Sequence, residues 1–188
     1  AGREGPATPD TGGATASLPT GALKLPPAQQ NEPGPPAVAD AATEGRERTD
    51  DDRAQARALV DQAWGKMLAG DNQGALKECT KAIAVDPSYA VAYQNRASAR
   101  LRMGDPRGAI EDFTRAIGLD PDYAAAYYNR GNARLKIGDP KAAIDDFTKA
   151  IEVDPSSADS FINRGGARQS LNSFQEAIDD YTKAIKLA

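Results

Sequence analysis

The chain predicts an all-α solenoid of four helix-turn-helix repeats behind a disordered N-terminal segment. Three observations carry this. The pattern Asn-Arg-x-x-Ala-Arg starts at Asn95, Asn129 and Asn163, each step 34 residues. The pairs Asp86-Pro87, Asp120-Pro121 and Asp154-Pro155 keep the same step. Between these marks, apolar residues fall at helical spacing. A period of that length signals small helical units that stack to bury a shared core.

Composition first divides the chain in two. Residues 1–52 hold eight of the 13 Pro, seven of the 17 Gly and no aromatic residue, with four Lys/Arg against nine Asp/Glu. Such a segment buries too little apolar surface to offset an ordering entropy of roughly 1–2 kcal/mol per residue, so it is expected to be a disordered, acidic tail or linker. The stretch Leu18-Pro19-Thr20-Gly21-Ala22-Leu23-Lys24-Leu25-Pro26-Pro27 is the part of it suited to docking in a groove as an extended peptide. Residues 53–188 form the repeat domain, with 19 Lys/Arg against 18 Asp/Glu. Neither part has the basic excess of a nucleic-acid binder.

The absences also exclude functions. There is no His, which removes the commonest general base. A single Cys, Cys79, forms no internal disulfide and leaves the compartment open between cytoplasm and, after leader removal, periplasm or exterior. No apolar run is long enough to span a membrane. No phosphate-loop, dinucleotide, zinc-protease or paired-cysteine motif occurs, so no cofactor or metal is expected. Adjacent acids such as Asp145-Asp146 do not face each other on a helix and make poor acid–base partners. The chain reads as non-enzymatic.

The repeats follow in order, as residues 56–89, 90–123, 124–157 and 158–188. Asp50, Asp51 and Asp52 precede the Ala-rich start of the first, as suits a helix N-terminus. That unit is the least regular, with Gly70, Asp71, Ala75, Cys79, Ala82 and Ile83 at the marked positions; an atypical terminal unit is expected. Units two and three share 20 of 34 residues, enough to align the others by. In unit three the first helix is expected near 125–137. Gly138 ends it in the left-handed conformation, Asp139 caps the next, and Pro140 takes its first position. Ala143, Ile144, Phe147, Ala150 and Ile151 make an amphipathic stripe. Unit two repeats this with Gly104, Asp105, Pro106, Ala109, Ile110, Phe113, Ala116 and Ile117. Unit four has Asn172 for Gly, and Ser173 with Glu176 predicts a capping box. Its stripe is Ala177, Ile178, Tyr181, Ala184 and Ile185.

These positions resemble the tetratricopeptide repeat family. The match lies in the first aromatics Tyr93, Tyr127 and Phe161, the small residues Ala63, Ala97, Gly131 and Gly165, the Ala-aromatic-Ala run of each second helix, and Pro87, Pro121 and Pro155. The resemblance implies a right-handed superhelix whose first helices line a concave groove. One departure stands out: Arg96/Arg100, Arg130/Arg134 and Arg164/Arg168 take positions that the family fills with apolar residues. Asp112, Asp146 and Asp180 recur opposite. Pairing within the scaffold is the expected outcome, because exposed single-sign rows self-repel; an anion site is the alternative.

The resemblance also implies candidate peptide-binding residues in the groove: Trp64, Gln94, Asn95, Arg102, Tyr128, Asn129, Asn132, Lys136 and Asn163. An Asn amide both donates and accepts, so Asn95, Asn129 and Asn163 suit the backbone of an extended peptide. Equally, they suit hydrogen bonds between stacked helices. Some family members clamp the C-terminal carboxylate of chaperone tails with Lys and Arg beside two Asn. Here the cationic positions hold Val60 and Ala125 in one frame, Gln94 and Asp159 in the next, so no such clamp is expected. The expected function is a non-catalytic scaffold that binds a peptide or helix of a partner protein. The rival is an assembly subunit, a possible homo-oligomer, that docks through the N-terminal arm or through an eighth helix with no polar capping helix beyond it.

Overall fold

A computed structural model describes residues 49–187. The expected disordered arm and its Leu18–Pro27 stretch lie outside the described residues, apart from Thr49 and the first positions of the first helix. Eight helices run in order among the described residues: α1 (Asp50–Leu68), α2 (Asn72–Val85), α3 (Ala90–Arg102), α4 (Pro106–Leu119), α5 (Ala124–Lys136), α6 (Pro140–Val153), α7 (Ala158–Ser170) and α8 (Phe174–Leu187).

Local chemistry sets each helix end. Thr49 opens α1 with a capping box: its hydroxyl accepts from Asp52 N–H at 3.2 Å, and the Asp52 carboxylate accepts from Thr49 N–H at 3.0 Å. Asp71, Asp105 and Asp139 cap α2, α4 and α6, accepting from the N–H groups of Gly74, Gly108 and Ala142. At the end of α5, Gly138 has φ +79° and donates to Leu135 O, while Asp139 N–H reaches Arg134 O at 2.9 Å. These two bonds make a Schellman turn. Asn172 does the same work for α7 at φ +62°. The capping box expected at Ser173 and Glu176 does not form among the described residues: Glu176 instead turns its carboxylate toward Arg168, 3.9 Å from Nε. That charge draws the long Glu side chain away from the helix end.

Side chains at the second junctions stop the helices by a different route. Asp86, Asp120 and Asp154 precede proline, which disfavours helical backbone, and their carboxylates accept from the N–H two residues on.

Each helix packs on the next. The first helices of successive repeats also touch one another, α1 on α3, α3 on α5 and α5 on α7. Among the described residues, the second helices make no such contact. So α1, α3, α5 and α7 form a continuous inner layer. The core is built from small residues and a few rings: Ala97, Ala109, Phe113, Ala116, Ala126 and Ala133 cluster with Tyr93. Gly131 lies so close to Phe147 that an added Cβ would sit 2.7 Å from the ring. Cys79 takes the ring position in the first unit, fully buried, and burial pushes its thiol up to about 12.

The arginine rows are structural. Arg96 and Arg100 both hold Asp112, Arg130 and Arg134 hold Asp146, and Arg164 and Arg168 hold Asp180. In the first unit, Lys66 and Lys81 hold Glu78 in the equivalent place, and their hydrogen bonds keep its carboxyl below the usual range. Each first-row Arg also lies over the preceding ring, Arg96 on Tyr93, Arg130 on Tyr127 and Arg164 on Phe161. Arg130 reaches back to Thr114, and Arg164 to Thr148, tying each repeat to the one before.

Candidate functional site

The inner layer places the candidate residues on four helices. Trp64 is on α1 and 51% exposed. Leu68, one turn on, is also exposed. On α3, Gln94 is half-buried and Asn95 is buried, 8% exposed. Arg102 is exposed near the C-terminal end of α3, and its Nη1 donates to Met67 O at 3.3 Å, holding α3 to the end of α1. On α5, Tyr128, Asn129 and Asn132 are half-buried and Lys136 is exposed.

One cluster brings three of them together. Asn163 on α7 donates through Nδ2 to Tyr128 Oη at 3.0 Å and to Asn132 Oδ1 at 2.9 Å. The Tyr128 ring rests against Phe147, with centroids 5.9 Å apart. Trp64, Gln94, Asn95, Arg102 and Lys136 do not join this cluster. Among the described residues no hydrogen bond reaches the Asn95 or Asn129 side chain. One repeat back, the positions equivalent to Tyr128 and Asn132 hold Gln94 and Ser98, and the Ser98 hydroxyl is already donated to Gln94 O.

Beside the cluster lies a recess of about 180 Å³ that sequence reasoning missed. Ala124, Ala125 and Tyr128 of α5 form one wall, Ala150 and Asp154 the floor side, and Ser157, Asp159 and Ser160 the wall from α7. The signal was a break in the repeat. Tyr89 and Tyr123 stand at the N-caps of α3 and α5 and pack on the core. At the same position before α7 stands Ser157, whose hydroxyl accepts from Ser160 N–H and pairs with the Ser160 hydroxyl at 2.8 Å. The missing ring leaves the space. Asp154 Oδ1 accepts from the Ser156 hydroxyl and N–H, which hold its carboxyl below the usual range. Asp159 is exposed in the first turn of α7.

A tetratricopeptide repeat model matches residues 95–158 and again 128–188. No curated protein matches the sequence. Among solved structures, the chain is similar to MamA, at 26% identity and a TM-score of 0.68, over 73% of this chain and 80% of that one. It is similar to the first repeat domain of Spaghetti (RPAP3) bound to the HSP90 peptide SRMEEVD, at 27% identity and a TM-score of 0.62, over 63% and 94%. The second repeat domain of human RPAP3, in complex with the HSP70 peptide SGPTIEEVD, matches at 29% identity and a TM-score of 0.60, over 62% and 98%.

Proposed function

Since the chain belongs to the tetratricopeptide repeat family, we propose that it is a non-catalytic scaffold that binds a segment of a partner protein along its inner helix layer. The observation that supports this is the unbroken contact of α1, α3, α5 and α7, the helices that carry the candidate amides and the exposed Trp64 and Leu68. Asn129 and Asn95 offer amides to a peptide backbone. Trp64 and Leu68 offer apolar contact at one end. The two RPAP3 domains bind peptides on the same fold, which supports the mode of binding. Their acidic tails are not expected ligands here, because Val60, Gln94, Ala125 and Asp159 stand where the clamp would need cations. The fold carries the mode and the side chains carry the choice of partner.

Peptide selection against the whole chain tests this reading. Selected peptides should bind with micromolar affinity, and Asn129→Ala should weaken them about tenfold, which is roughly 1.4 kcal/mol. Equal binding to wild type and Asn129→Ala, with Trp64→Ala also silent, would remove the inner layer as the site.

A second reading is assembly through α8. It is favoured by Phe174, Ile178 and Ile185, which are exposed on that helix although the equivalents Ile144 and Ile151 are half-buried. Sedimentation equilibrium decides it: association that Ile178→Glu abolishes supports docking through this face, and a monomer at all concentrations excludes self-assembly.

A further inference from the structure

We infer that the recess between α5 and α7 takes a cationic side chain, Lys or Arg, from the segment bound on the inner layer. This rests on the groove reading above and names the chemistry of one subsite within it.

Space comes first. Replacing the ring of Tyr89 and Tyr123 by the hydroxymethyl of Ser157 opens a recess that admits one side chain. Tyr128 of the inner layer lines it, and its hydroxyl already accepts from Asn163. A peptide lying on Asn129 of α5 and running toward α7 therefore passes the opening.

Charge comes second. Two carboxylates line the recess, Asp154 and Asp159, and no Lys or Arg does. Neither has an ion-pair partner among the described residues. Asp154 uses Oδ1 on Ser156, leaving Oδ2 for a ligand. The N-termini of α5 and α7 face the same space with partial positive charge, but Asp159 in the first turn of α7 and the C-terminal carbonyls of α6 outweigh it. An anion would meet two carboxylates there, whereas a guanidinium or ammonium would gain charge-assisted hydrogen bonds. The Tyr128 side chain and Ala124 accommodate the aliphatic stem, and an aromatic wall further favours a cation.

The test is selection from a displayed random-peptide library on the full chain, followed by calorimetry of an enriched peptide. Lys or Arg should be enriched at one position. Replacing that residue by norleucine should raise Kd tenfold or more. Ser157→Tyr should do the same, because it refills the recess with the ring that α3 and α5 already carry, without a side-chain cap bond, at this position. Asp159→Asn should weaken the basic peptide and leave its norleucine form unchanged. Peptides that bind, respond to Asn129→Ala, and ignore Ser157→Tyr and Asp159→Asn would overturn the cation subsite and leave the groove reading standing. Enrichment of acidic residues would also overturn it. If no peptide is selected, the groove reading fails and the subsite falls with it.

Discussion

Arg130 grips Asp146 through two nitrogens of its guanidinium, Nε 3.1 Å from Oδ2 and Nη2 2.7 Å from Oδ1. The Asp146 carboxylate also accepts Arg134, 2.9 Å away, so one buried acid holds two cations. The acid comes from α6 and both bases from α5, so the pairing clamps the two helices of one repeat together. Asp146→Ala would leave both guanidinium groups half-buried without their partner and is expected to cost about 3 kcal/mol, the low end for breaking a buried pair. Urea unfolding checks this. The exposed pair Lys149–Glu152 is the control, and Glu152→Ala should cost under about 1 kcal/mol. Equal small losses would mean that water screens the row.

Ala143 is fully buried and packs with Phe147 and Ala167 between α6 and α7. Ala143→Phe is expected to destabilise by about 1–3 kcal/mol through overpacking. An unchanged thermal midpoint would mean that this interface has room the packing does not suggest.

Most of this architecture was legible from spacing, since Gly138, Asp139 and Pro140 each leave only one backbone role open. The pairing of Arg130 with Asp146 was legible too, as both recur once per repeat. What failed was chemistry that depends on a third group. Ser173 and Glu176 read as a capping box just as Thr49 and Asp52 do, but Arg168 draws Glu176 away, whereas Asp52 keeps its bond to Thr49 N–H. The recess was half legible. The change from Tyr89 and Tyr123 to Ser157 is plain in the sequence, but whether neighbours collapse into the lost volume is decided by tertiary packing.

Cys79 provides a pH prediction. The unfolded chain releases the thiol proton near the ordinary value of about 9, while burial holds it in the fold to about 12. Between those values the unfolded state binds fewer protons, so stability falls as pH rises, by at most about 1.4 kcal/mol per pH unit. Wild type should lose stability faster than Cys79→Ala on going above pH 9. Parallel slopes would mean that the thiol ionises freely in the fold.

Asn163 and Asn129 share a repeat position and should behave oppositely. Asn163 makes two side-chain hydrogen bonds to α5, whereas no hydrogen bond reaches Asn129 among the described residues. Asn163→Ala should therefore cost about 1 kcal/mol of stability, more if Asn132 is left buried and unpaired. Asn129→Ala should stay within about 0.5 kcal/mol, as for a residue with no structural partner. Binding should reverse the order, because an uncommitted amide is the one free to meet a peptide. Melting curves and calorimetry on the same two variants separate the roles. If Asn129→Ala proves the more destabilising, the amide has a structural partner and loses its claim on the ligand. If both variants leave stability and peptide affinity untouched, the Asn row sets neither stacking nor recognition, and Trp64 with Leu68 becomes the place to look for the contact.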